Sequence, residues 1–229
     1  TYNKMSLLNK TSLYKTVDNV NEAFFYGVKI TKTEADSVSS WISSRYDTEH
    51  SYNHSYGLTG KDMNSKVFTF TGERLLCASM RHIMAEEAAR VLRQLSKITG
   101  SKPDTLRKTD EWFYKMLEAS EAAGKPLGTF CCGPCTIGLW RYLNAGGLPK
   151  YRDNLAAGIM SLHSNRDETG KWGRFPFYYT LLALSEIDDT MAIKEVNYAM
   201  PACERALKRM NKANNFSKRK RDLLLKIMN

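Results

Sequence analysis

From Leu75 to Ile98 the apolar residues fall at spacings of three and four: Leu76, Met80, Ile83, Met84, Ala88, Val91, Leu92 and Leu95. That period draws one stripe along an α-helix and would scatter the same side chains over both faces of a strand. A helix of nearly seven turns, at about 3.6 residues each, with one apolar stripe must bury it against other elements. Gly100 supplies its stop.

The same signals recur along the chain. Thr31 stands three residues ahead of Glu34 as a capping box, with Val38, Trp41 and Ile42 on one face behind it. Glu111 to Ala123 reads as helix behind Asp110 as N-cap, ending at Gly124 with Pro126 beyond. Further helices are predicted over Thr136 to Asn144, Arg152 to Leu162 and Phe177 to Ile187, the last with Pro176 in its first turn. A long helix over Met191 to Met210 contains Pro201, where a kink or break is expected. A basic helix, Ser217 to Met228, ends the chain. The one strand-like run, Lys66 to Phe70, has no visible partner and is read as extended loop. These patterns predict an all-α fold of helical hairpins packed as a partial α/α array. One long irregular loop is expected at about 45–72.

Composition limits the function classes. At 229 residues the chain can bury a large core without disulfide staples, and it reads as a single α-helical domain, 1–229. No run of 18 apolar residues exists, so no membrane span is expected. Five cysteines are an odd number for a disulfide framework and point to a reducing, cytoplasmic setting. The net charge of +10 is concentrated in a basic tail from about Arg205. Nine Lys/Arg there face one acid, Asp222.

Three of the cysteines, Cys131, Cys132 and Cys135, lie within five positions at the start of a predicted helix. The Cys132-x-x-Cys135 spacing lets two thiolates share a Zn²⁺ ion or cycle as a disulfide. A structural zinc needs four ligands, and His50 with His54, four apart beside Glu49, are the candidates to complete the set. The plain alternative is packing under a Gly-Pro turn, with His50 and His54 as solvated loop residues. No cofactor is expected, Zn²⁺ being the one candidate metal. His82 and Glu86 share a helix face and are read as a surface ion pair before an acid/base pair. His163 is read as a helix C-terminal cap.

The aromatic segment around Trp172, Phe175, Phe177, Tyr178 and Tyr179 is flanked by Arg166, Lys171 and Arg174. Arg166, Trp172, Arg174, Phe175 and Tyr178 are the ligand-facing candidates, suited to an anionic ligand over an aromatic floor; core packing is the alternative. Ser40 to Tyr52 and Met160 to Tyr178 are distantly alike. Each carries a helix end, a basic and acidic turn, then aromatics, as an internal repeat of hairpins would. Arg166 to Ile187, with Asp167, Gly170 and Trp172 in its turn and Thr180, Leu181, Ala183 and Leu184 in its helix, resembles one repeat of the α/α-toroid group of terpenoid cyclases and protein prenyltransferases. The Asp-x-Asp-Asp motif of that group is missing, so the resemblance implies helical-hairpin packing with aromatics on an inner face, and no cyclase or transferase activity.

Three functional readings stand. The first is a non-catalytic helical module that binds a small ligand or a protein partner. The second is an enzyme centred on Cys132, Cys135 and His50 or His54. The third is nucleic-acid binding through Lys218, Arg219, Lys220 and Arg221.

Overall fold

The computed structural model describes residues 6–148, 151–210 and 214–228, and only the backbone of 77 and 78. Cys77, read as a core residue, and Lys212 of the basic tail therefore lie outside the described side chains or residues. The chain is all-α: the described residues form ten helices and one pair of two-residue strands. None of these helices is long and apolar enough to cross a membrane. The contacts gather into two units. One takes Thr1–Val67, Arg74–Met116 and Ala145–Pro149; the other takes Phe68–Glu73, Leu117–Asn144 and Lys150–Asn229.

The first unit is built on α4 (Cys77–Thr99), the stripe-bearing helix, against which α1 (Leu13–Phe25) and α2 (Lys32–Ser43) pack. The α2 capping box forms as expected, with Thr31 and Glu34 bonding reciprocally. Gly100 closes α4 in the left-handed conformation, φ 76°. The long loop holds a short helix, α3 (Gly60–Met63). Its capping residue Asp62 also accepts the Leu13 N–H at 2.8 Å and the Ser12 hydroxyl, which ties the loop to the start of α1. The run Lys66 to Phe70 is not wholly unpaired: β1 (Val67–Phe68) pairs with β2 (Arg74–Leu75) through a turn at Gly72. Helix α5 runs Asp104–Ala122 and starts before the expected Glu111. Asp110 is therefore no N-cap; its carboxylate sits mid-helix and binds Arg93.

The second unit packs α6 (Gly133–Asn144) against α7 (Tyr151–His163) and α8 (Phe177–Glu186). Helix α9 (Thr190–Arg209) lies on α7 and α8, and α10 (Asn215–Met228) lies on α8 and α9. Pro176 is the N-cap of α8, one place outside its first turn. Pro201 does not break α9. Both Pro201 and Asn197, whose carbonyl loses its donor, lie on the exposed face where that group meets solvent. Arg141, 2% exposed, reaches Glu186 with Nε at 3.0 Å and Nη2 at 2.9 Å, and this pair fixes α6 on α8.

Two turns between helices are each closed by an isolated antiparallel bridge. In one, Asp47 N–H donates to Ser55 O at 2.8 Å and Gly57 N–H to Arg45 O at 2.8 Å, around the Tyr46–Tyr56 bridge. In the other, Asp167 N–H donates to Lys171 O at 3.1 Å and Gly173 N–H to Asn165 O at 2.9 Å, around the Arg166–Trp172 bridge.

Candidate functional site

The segment from Gly128 to Thr136 is gripped by its neighbours at two glycines. Gly128 has φ +72°, and a Cβ there would lie 1.8 Å from the Asn154 carbonyl oxygen on α7. Its own carbonyl accepts the Trp140 indole N–H at 2.9 Å. Gly133 opens α6 with its Cα pressed on the 174–175 backbone, where a Cβ would meet Arg174 O at 1.9 Å. Between these clamps Thr136 Oγ1 accepts the Phe130 N–H at 3.0 Å and donates to Cys132 O at 2.9 Å. The amino end of α6 is thus held against α7 and the strap before α8.

A cavity of about 70 Å³ opens at this point. Cys132, half-buried and immediately ahead of α6, lines it together with Gly133 and Thr136. Lys125, Pro126 and Thr129 contribute one wall; Ser161 and Asn165 contribute another. Arg174 and Phe175 complete it, with the Phe175 ring stacked on Trp140 at 5.9 Å and 22°. The lining holds two cations and no carboxylate or imidazole. Neither Lys125 nor Arg174 forms an ion pair among the described residues. The first N–H groups of a helix and its dipole add partial positive charge at the same place.

The remaining ligand-facing candidates do other work. Trp172 is 2% exposed and fills the core, its indole N–H donating to Glu195 Oε2 at 2.9 Å. Arg166 binds the same carboxylate through Nε at 3.1 Å and Nη2 at 2.9 Å, and lies 4.2 Å from the centre of the Tyr198 ring. His163 Nδ1 meets Glu195 Oε1 at 3.1 Å, so His163 serves a side chain of α9 rather than the carbonyls at its own helix end. Tyr178 is half-buried, with Lys220 Nζ 4.7 Å from its ring centre. Burial first, then Cys203 and Glu73, holds its hydroxyl above the ordinary range. Of the sequence candidates, the cleft keeps Arg174, Phe175 and Cys132; the spacing rules missed Lys125, Thr129, Ser161 and Asn165.

The metal and nucleic-acid candidates are placed as follows. His54 Nδ1 lies 3.4 Å from Asp47 and the ring meets Trp112 edge-on; His50 Nε2 is 4.0 Å from Glu49. Among the described residues no cluster of three ligating atoms includes His50, His54 or Cys132. Cys135 is fully buried and Cys131 exposed, and the described cysteines are all thiols. In the basic tail, Arg219 is 3% exposed, sandwiched by Phe70 at 4.3 Å and Phe216 at 5.8 Å, with Nη1 donating to Phe70 O. Arg219 and Lys220 are thus committed to packing, leaving Lys218 exposed and Arg221 half-buried. His82 and Glu86 are not a surface pair: they are 2% and 0% exposed, 3.3 Å apart, with Tyr52 stacked on the imidazole at 4.4 Å.

Burial pushes the Cys203 thiol up to about 11. Because this folded value lies above the ordinary one of about 8.5, folding favours the neutral thiol. That contribution is present below the ordinary value and is lost as pH rises through about 11. Alkylation at pH 8 followed by peptide mass spectrometry should label Cys131 first and leave Cys203 unmodified in the folded protein. Comparison with protein-family models, with curated proteins and with solved structures gave no match.

Proposed function

We propose that the second unit is a binding module for a small anionic ligand, whose acidic end sits in the cleft before α6. The observation that carries this reading is the charge of the lining. Lys125 and Arg174 stand on the cleft without a carboxylate among the residues that form it. A pair of cations at a helix amino end is suited to a phosphate or carboxylate, and guanidinium binds either in a bidentate fork. Ser161 and Asn165 add polar groups, and the stacked Phe175 offers a flat apolar wall for the ligand's body. A cavity of about 70 Å³ has the volume of about two waters at ~30 Å³ each. It accepts an end group, while drug-sized ligands fill ~300–1,000 Å³, so the rest of the ligand lies outside it.

Calorimetric titration with inorganic phosphate, phosphate monoesters and small carboxylates tests the reading. At least one class should bind, with affinity falling at least tenfold in Arg174→Ala and further in the double variant with Lys125→Ala. Bound ligand should also slow alkylation of Cys132. Absence of binding across the panel, or binding indifferent to both substitutions, would overturn the proposal.

A further inference from the structure

We infer that the last turns of α9 and the first turns of α10 form a docking face for the phosphate backbone of a double-stranded nucleic acid, bound without regard to base sequence. The run Lys218 to Arg221 does not supply this face by itself. Arg219 is 3% exposed between two phenylalanine rings, and Lys220 lies against the Tyr178 ring. The cations that remain come mainly from α9. Arg205, Lys208 and Arg209 are exposed and stand at positions i, i+3 and i+4, which puts them on one side of the helix. Arg205 is held there by its bond to the Thr169 carbonyl. Residues 210–214 join α9 to α10 and contain no acid. A link of that length keeps the two helix ends within about 22 Å. The half-buried Arg221, in the second turn of α10, therefore falls within one duplex turn, ~34 Å, of Arg209.

What carries the inference is charge left without a counter-charge. Arg205, Lys208, Arg209 and Arg221 form no ion pair among the described residues, and neither does Glu204, the nearest acid on α9. One or two cations satisfy the negative end of the α9 dipole; the others repel one another in the absence of a polyanion. A nucleic-acid backbone offers dense charge along an extended line, and its neutralisation releases counterions. Single strands are held by stacking on exposed aromatic rings, and α9 and α10 present none among the described residues. A membrane surface holds a helix by an exposed apolar face, whereas Leu223 and Leu224 of α10 are buried in the fold. No residue of this face lines the anion cleft.

Fluorescence anisotropy of a labelled DNA duplex of about two helical turns, titrated with the full chain, tests the inference. Duplexes of unrelated sequence should bind equally. With about four phosphates neutralised, the affinity should fall with salt at a log–log slope of about −3.6, roughly 150-fold between about 50 and 200 mM. Lys208→Glu combined with Arg209→Glu should lower the affinity at least about tenfold, and Lys208→Ala alone should reduce the slope by about 0.9. Both side chains are exposed, and an unchanged circular dichroism spectrum checks the fold. Lys125→Ala and Arg174→Ala should leave duplex binding unchanged, and the charge-reversed protein should keep its small-anion affinity, so each reading can fail without the other. The inference is defeated by no binding at low salt, by a slope shallower than about −2, or by wild-type affinity in the charge-reversed protein. Tighter binding to single strands, or to vesicles of anionic phospholipid, defeats it equally.

Discussion

Gly128→Ala should destabilise the protein by about 3–5 kcal/mol, from left-handed strain of ~1–3 kcal/mol and overpacking of ~1–3 kcal/mol or more. The backbone at Gly128 has φ +72°, and the added Cβ would sit 1.8 Å from Asn154 O and 3.0 Å from Gly158 N, both backbone atoms of α7. Neither can swing away as a flexible side chain would. Moving the segment would also pull the Gly128 carbonyl from the Trp140 indole, leaving a buried N–H without its acceptor. Gly124 is the internal control. Its φ is +76°, but a Cβ there meets nothing within 4 Å. Gly124→Ala therefore carries the backbone strain alone and should cost about 1 kcal/mol. Urea denaturation of both variants, followed by tryptophan fluorescence, reads the difference. Equal losses would mean that the glycine clamp does not hold the segment to α7. The consequence for the cleft is direct, since Thr129 and Phe130 follow Gly128 into its lining.

The parts of this fold legible in the sequence are those in which local chemistry and tertiary packing agree. Helix α4 is written in its stripe, α2 in the Thr31–Glu34 box, and the ends of α4 and α5 in Gly100 and Gly124. Helix α1 escaped because Asp18, Asn19 and Asn21 are buried among its apolar residues and blur the period. Asn21 is satisfied from far along the chain, by Glu87 at 3.0 Å and Arg90 at 2.7 Å on α4. The start of α5 was misplaced for a related reason. Asp110 has the residue type of a cap, but its partner is Arg93, seventeen positions back.

The candidate site divides along the same line. Arg174, Phe175 and Cys132 were visible because cations, aromatics and thiols are conspicuous in a row. Lys125 and Asn165 enter the cleft from segments that only the fold brings near, and no short-range spacing marks them. Trp172 was misread because an indole beside two arginines suits a ligand pocket and a buried carboxylate equally. The deciding partner, Glu195, lies twenty-three residues on. Cys132 was conspicuous in the cysteine run; with α6 starting at Gly133 it is the residue just ahead of the helix and lines the cleft, while Cys135 is buried within the first turn.

Glu195 should prove the most costly single side chain to remove from the second unit. It is buried in α9, and its carboxylate gathers Arg166 and Trp172 from the turn between α7 and α8 and His163 from the last turn of α7. That turn leads directly to Arg174 and Phe175, so the carboxylate positions one wall of the cleft. Glu195→Ala strands the Arg166 charge and the Trp172 N–H together, and losing one member of a buried pair costs about 3–5 kcal/mol. Glu195→Gln keeps the shape and one acceptor but loses the charge, for about 2 kcal/mol by the worth of charged hydrogen bonds. His163→Ala should cost less than about 1 kcal/mol, because that ring is largely exposed and its pairing is screened. Denaturation curves order the three variants, and a red shift of tryptophan emission in Glu195→Ala reports Trp172 leaving its pocket. If the anion titration is repeated on Glu195→Gln while the protein is still folded, binding should weaken as the Arg174 wall loosens. A Glu195→Ala protein as stable as wild type would instead mean that the turn is held by Gly170 against Ala202 and by the Asp167 side chain, which accepts from the backbone of Thr169 and Lys171 at 3.0 Å each.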